Sequence, residues 1–146
     1  MTDTSKDIKT IVYAAKAGAD QPWAVDAAAQ LAKETASRVA VVSVDDLETE
    51  KLATVPRSDV QKLADDAADR AVERLRTKGI EATKTVLAGP ALEQILMFAD
   101  QEDADLIVVG GSTRSTLAER LLGSVSLLLV QRSSRPVVVV TEPQQS

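Results

Sequence analysis

Hydrophobic positions along this chain change period several times, and each change marks the boundary of a strand or a helix. Ile8 to Ala15 is a short apolar run with β-branched and aromatic members, followed by the breaker-rich Ala17-Gly18-Ala19-Asp20-Gln21-Pro22, so a strand passes into a loop. From Pro22 onward, Val25, Ala28, Ala29 and Ala32 recur at helical spacing, and Pro22 sits where its missing N–H costs nothing; a helix is expected to end near Ser37. Val39 to Val44 is too uniformly apolar for a strand with one wet face and fits a strand buried on both faces of a parallel sheet, with a loop from Asp45 to Pro56. Val60, Leu63, Ala64, Ala67, Ala68, Ala71, Val72 and Leu75 then fall on one helical stripe. Lys78 and Gly79 close that helix, the cation suiting its negative end and the glycine its last turn.

The second half repeats the alternation. Glu81 to Val86 alternates polar and apolar and reads as an outer strand; Gly89-Pro90 leads into a helix marked by Leu92, Ile95, Leu96 and Ala99; and Asp105 to Val109 reads as another buried strand. A polar connection from Gly110-Gly111 through Arg120 precedes a short helix starting near Gly123-Ser124, and Pro136 to Val140 forms the last strand. The order βαβαβαβαβ demands right-handed crossovers, hence an open parallel five-stranded sheet in a three-layer α/β/α sandwich. One domain is expected over residues 1–146, with 1–6 and 142–146 as tails.

Composition removes most chemistry. The 146 residues include no Cys and no His, so thiolate nucleophiles, Ser-His-Asp triads and the usual zinc or iron–sulfur sites are excluded. A net charge of −5 and only Tyr13, Trp23 and Phe98 as aromatics argue against nucleic-acid partners. No apolar run approaches the ~18 residues of a membrane span, and the first residues lack the apolar core of a signal peptide, so a cytoplasmic protein is expected. Trp23 is expected to cover the sheet edge near the first helix.

In open α/β sheets ligands bind beyond the carboxyl ends of the strands, where strand order reverses. The loops there offer Lys16, the pair Asp45-Asp46, the stretch Gly110 to Ser115, and Gly123-Ser124-Val125-Ser126. Gly123-Ser124 has the chemistry of an anion site at a helix start, with free amides and a glycine that admits close approach. Lys16 and Arg114 add cations nearby, and Asp45 can accept ribose hydroxyls. Each residue also has a plain structural reading: Ser124 as a helix cap, Thr116 with Glu119 as a capping box, Asp45 and Asp46 as solvated loop carboxylates, Lys16 and Arg114 as surface cations.

Asp103-Ala104-Asp105-Leu106-Ile107-Val108-Val109-Gly110, the thirteen-residue step from Gly110 to Gly123, the block Leu121 to Ser126 and the closing Arg135 to Val140 resemble the universal stress protein family over the whole chain. The resemblance implies a Rossmann-like sandwich of the adenine nucleotide alpha hydrolase type. It also implies a non-enzymatic, dimeric stress-response or regulatory module that binds ATP with magnesium, or another adenine nucleotide. In the family's ATP-binding members the phosphate loop runs Gly, two residues, Gly, nine residues, Gly, then Ser or Thr. Here that pattern maps onto Gly110, Thr113, Gly123 and Ser124, with Val125 following, so Thr113 replaces one glycine. The family's adenine-side contacts map onto Ala14, Val44 and Val109. Lys16 stands where binding members carry an Asp at the end of the first strand.

Three readings follow: a nucleotide-sensing module; a family member without nucleotide that acts through a protein partner, marked by Thr113 and Lys16; and a slow ATPase, which lacks a Walker-type run or carboxylate cluster to support it. A phosphoacceptor domain would need acidic residues where the first strand closes with Ala14-Ala15-Lys16, and a flavin site would need aromatics. The run Val137 to Val140, if it lies at the sheet edge, has no charge to block pairing, and the resemblance implies that two copies pair there as a homodimer.

Overall fold

Elements alternate in the expected order: β1 (Thr10–Ala15), α1 (Pro22–Thr35), β2 (Arg38–Asp45), α2 (Arg57–Thr77), β3 (Ala82–Ala88), α3 (Ala91–Gln101), β4 (Leu106–Gly111), α4 (Ser124–Arg132) and β5 (Val137–Thr141). The computed structural model describes residues 7–46, 57–111 and 124–143. The sheet has five parallel strands in the order β3-β2-β1-β4-β5. The chain winds outward from β1 to β3, returns to β4 beside β1, and winds the other way to β5. Strand order therefore reverses between β1 and β4.

The alternation of side chains along each strand sorts the core into two layers. Ile11, Tyr13, Val39, Val41 and Val108 face α1 and α2, while Val12, Ala14, Val42, Val44, Ile107 and Val109 face α3 and α4. This two-sided burial explains the unbroken apolar runs of β2 and β4. On the first side the helices contribute mainly alanines, among them Ala24, Ala28, Ala29 and Ala32 of α1 and Ala64, Ala67, Ala68 and Ala71 of α2, all buried. Small residues let both helices sit close to the sheet, and Tyr13 is the one large ring accommodated between them and β1.

Helix ends follow their local chemistry. Gly79 adopts φ +81° after α2, and the N–H groups of Gly79 and Ile80 donate to Arg76 and Leu75 carbonyls, closing the last turn. α1 stops at Thr35, slightly earlier than its pattern predicts, because Ala36 takes a left-handed φ of 54° and Ser37 N–H donates back to Ala32. The expected loop after β2 also starts later than the pattern predicts: Asp45 closes the strand and is 2% exposed. Asp46 is not a solvated carboxylate either, since its Oδ2 accepts the Ala91 N–H at 3.3 Å at the start of α3. No helix among the described residues is long and apolar enough to cross a membrane.

Asp105 has a structural task. Its Oδ2 accepts the N–H groups of Lys9 (2.8 Å) and Thr10 (3.0 Å), and its own N–H donates to the Thr10 carbonyl, so one side chain pins the start of β4 to the start of β1. Asp105→Ala is expected to cost about 2–3 kcal/mol, since hydrogen bonds to a charged acceptor contribute roughly 1.5–3 kcal/mol and two amides lose theirs. Urea denaturation of the two proteins measures it.

A second tie joins the helices of one layer. Arg74 of α2 grips Asp26 of α1 with two bonds of 2.7 and 2.9 Å, and Lys78 stands 3.4 Å from the same carboxylate. Hydrogen bonding to Arg74, helped by both positive charges, holds the Asp26 carboxyl below its ordinary value. A depressed carboxyl stabilises the fold above its unfolded pKa of about 3.9 and loses that contribution as pH falls through the folded value. Asp26→Asn is therefore expected to lower Tm modestly near neutrality, and the gap from the parent protein should close as pH drops below about 4, read by thermal melts across pH.

Candidate functional site at the strand reversal

Strand order reverses between β1 and β4, and in open α/β sheets the crevice that takes a ligand lies beyond the carboxyl ends of the strands at such a switch point. Parallel register brings three of the expected contact residues to one face of it. Ala14 is level with Val42 on β2 and with Val109 on β4, and Val44 lies one pleat further along β2. Ala14, Val44 and Val109 all turn toward α3 and α4, are less than a tenth exposed, and share an apolar cluster with half-buried Val125 from the first turn of α4. This gives a flat aliphatic floor bordered by the start of a helix.

Gly110 closes one side of that floor for a steric reason. A Cβ added there would lie 2.6 Å from Gln21 Oε1 and 3.1 Å from the Ala24 Cβ, because the first turn of α1 crosses directly over β4. Gln21 precedes α1 as its cap residue, makes no side-chain capping bond, and buries its Oε1 without a hydrogen-bond donor. From α4, Ser126 Oγ donates to the Gly110 carbonyl at 3.4 Å, while Ser43 Oγ donates to the Ala15 carbonyl at 2.8 Å where β1 ends. Backbone at the ends of β1 and β4 is thus held by Ser43 and Ser126, while Gln21 only packs over Gly110. Ser126 belongs to a stretch singled out in the sequence, Gln21 shows only as the residue before the first proline of a helix, and Ser43 carries no signal.

Lys16 does not join this floor. It is exposed and lines a small cavity on the α1 and α2 side of the sheet, together with Tyr13, Asp20 and Arg70. Ser124 opens α4 at the same end as the crevice. Thr113 and Gly123, with Arg114, Thr116 and Glu119, lie outside the described residues.

These groups suit an adenine nucleotide in kind. The aliphatic floor of Ala14, Val44 and Val109 matches the faces of a purine, and the start of α4 beyond Gly110 offers the positive end of a helix dipole to an anion.

The universal stress protein family model matches residues 7–141, nearly the whole chain. This chain belongs to that family. A universal stress protein of Mycobacterium tuberculosis is 30% identical over 142 residues, covering 90% of this chain and 95% of the relative. Among solved structures, a universal stress protein in complex with cAMP superposes with a TM-score of 0.71 at 26% identity, covering 92% of this chain and 98% of that one. The Archaeoglobus fulgidus universal stress protein in complex with dAMP gives a TM-score of 0.69 at 23% identity, covering 92% and 99% respectively, and shares the fold. The family fold, with its sheet order β3-β2-β1-β4-β5, is therefore the frame in which the crevice is to be read.

Proposed function

We propose that this universal stress protein is a dimeric regulatory module that binds an adenine nucleotide in the crevice after β1, β2 and β4 and acts through binding rather than turnover. The observation that carries the reading is the floor of Ala14, Val44 and Val109 beside Gly110, at the point where strand order reverses. The cAMP complex of a structural relative supports the ligand class. Gly110, Gly123, Ser124 and Val125 are assigned to the phosphates. When ATP is the ligand, magnesium would accompany it and screen the phosphate charge. Thr113 in the place of a glycine makes the phosphate loop degenerate. A position that needs positive φ costs a β-branched residue far more than glycine, so a ligand with fewer phosphates is favoured over ATP.

The two edges of the sheet support the dimer by their contrast. On β3, Lys84 is held by Asp65 at 2.6 Å and by Asp69 at 2.8 Å, and Arg76 donates to the Ala82 carbonyl, so charge guards that edge. On β5, Ile107 N–H donates to Pro136 and Glu142 N–H donates to Gly111. Parallel alternation then turns Pro136, Val138, Val140 and Glu142 toward β4 and leaves the backbone N–H and C=O of Val137, Val139 and Thr141 pointing away from it. Trp23 Nε1 donates to the Val140 carbonyl at 3.2 Å and packs on the α1 flank of the strand, as its sequence position leads one to expect, but not over those outward groups. A second copy related by a two-fold axis would satisfy them.

Native mass spectrometry of the purified protein, alone and with cAMP, AMP or ATP plus magnesium, tests both parts. A dimer carrying one adenine nucleotide per subunit is expected, with cAMP or AMP retained at lower concentration than ATP. A dimer that stays empty at millimolar concentrations of all three would replace this reading with a module acting through a protein partner alone.

A further inference from the structure

We infer that Trp23 is a positioning residue for the nucleotide crevice: from the opposite face of the sheet it fixes the backbone at the end of β4, where the chain leaves toward the phosphates. The inference rests on the nucleotide reading of the crevice and assigns it a residue that never touches the ligand.

Trp23 belongs to the first turn of α1, which Pro22 stiffens and which the Ala24 and Val25 N–H groups close by donating to the Gln21 carbonyl. That one turn meets both members of a single rung of the sheet. Gly110 on β4 is level with Val140 on β5. Gln21 and Ala24 lie so close over Gly110 that a Cβ there would collide with them. Trp23 Nε1 donates to the Val140 carbonyl at 3.2 Å, while its ring packs on the apolar layer beneath α1 and α2. From the other face, Ser126 of α4 reaches the Gly110 carbonyl at 3.4 Å, so the rung is gripped on both sides.

The Val140 carbonyl matters for what lies opposite it. Ile107 N–H donates to Pro136 and Glu142 N–H donates to Gly111, so the alternation between these two bonds aims the Gly111 N–H at the Val140 carbonyl. Trp23 therefore shares its acceptor with Gly111, the last residue of β4. The place of that acceptor sets the direction in which the Gly111 peptide leaves the sheet, and the indole N–H holds the acceptor. Sharing also limits the structural cost of losing the indole, because the carbonyl keeps a backbone partner and no buried acceptor is orphaned. Loss of this N–H should thus be felt more in the crevice than in the stability of the fold.

Trp23 is the sole tryptophan of the chain, so its emission reports this rung alone. The floor of Ala14, Val44 and Val109 faces α3 and α4, so cAMP bound there reaches the indole only through the strands between them. cAMP is titrated into the protein by calorimetry and, in parallel, by fluorescence excited beyond the adenine absorption, at a protein concentration where sedimentation shows one oligomeric state with and without cAMP. The emission is expected to move and to saturate at the calorimetric dissociation constant. Trp23→Phe, which keeps a ring and removes the N–H, is expected to bind cAMP about three- to tenfold more weakly while melting close to the parent protein. Asp26→Asn, which cuts a tie of the same helix on its α2 side, is expected to leave cAMP affinity unchanged. Unmoved emission while calorimetry records binding overturns the positioning role, leaves the nucleotide reading intact and needs no variant to fold. Equal cAMP affinity in Trp23→Phe and the parent protein overturns it too, as does an equal loss in Asp26→Asn, which would mark a general loosening of α1. Calorimetry that records no cAMP binding to the parent protein removes the nucleotide reading itself, and the role of Trp23 with it.

Discussion

Val139→Pro is expected to turn the proposed β5 dimer into a folded monomer, raising its dissociation constant at least a hundredfold. Proline removes a backbone N–H and fixes φ near −65°, which usually breaks a sheet. At Val139 the N–H points away from β4, so the intrachain ladder loses nothing, and residue 138 already has the extended backbone that a following proline requires. Across a two-fold axis the substitution is present twice. Each copy loses a donor to the other strand, and each ring intrudes on its neighbour. Two lost hydrogen bonds contribute roughly 1–3 kcal/mol together before the steric term is added, which already accounts for about ten- to a hundredfold. Sedimentation velocity over a concentration series gives the dissociation constant, and circular dichroism shows whether the monomer is folded. Val138→Pro is the contrast: its N–H faces β4, so it should destabilise the subunit itself. A Val139→Pro protein that remains a dimer of unchanged affinity would move the interface away from β5.

Much of this architecture was legible because parallel strands buried on both faces cannot hide. Val39 to Val44, Ser43 apart, and Leu106 to Val109 are apolar without alternation, and every one of those residues is buried in the structure. Gly79 and Pro22 marked helix ends for local steric reasons that need no tertiary information. The motif at 103–110 announced its family, but its Asp105 proves to be a tether between two strand starts, a role visible only once β1 and β4 are neighbours. A charge after an apolar run usually marks a strand's end, so Asp45 reads in the sequence as a solvated loop carboxylate. It lies instead inside β2, whose pairing with β3 continues through Asp45 and Ala88. Lys16 illustrates a different limit: its position after β1 places it near the crevice, but the path of the backbone after Ala15 decides which side of the sheet it serves, and it serves the side of Tyr13 and Arg70.

The contact of Gln21 with Gly110 was invisible for the same reason, and it carries the second large expectation. Gly110→Ala should lower stability by about 1–3 kcal/mol, the usual cost of overpacking, and weaken cAMP binding at least tenfold. The new methyl would meet Gln21 Oε1 at 2.6 Å and Cδ at 2.8 Å, distances no real Cβ tolerates, so something must move. Gln21 is the softer neighbour, since its side chain is only part-buried and makes no capping bond; Ala24, at 3.1 Å, is fully buried on α1 and cannot retreat without shifting the helix. Because Ser126 is bonded to the Gly110 carbonyl from the opposite side, a displaced β4 end would also disturb the start of α4, where the phosphate is proposed to sit. A double-mutant cycle isolates the cause. Gln21→Ala removes the nearest atoms, along with a buried carbonyl oxygen that has no donor, so Gly110→Ala should cost measurably less in the Gln21→Ala background than in the parent protein. The part that remains is the Ala24 contact, and thermal melts with cAMP titrations on all four proteins separate the two. Additive costs across the cycle would mean that Gln21 yields freely, and that the rigid wall over Gly110 is α1 itself.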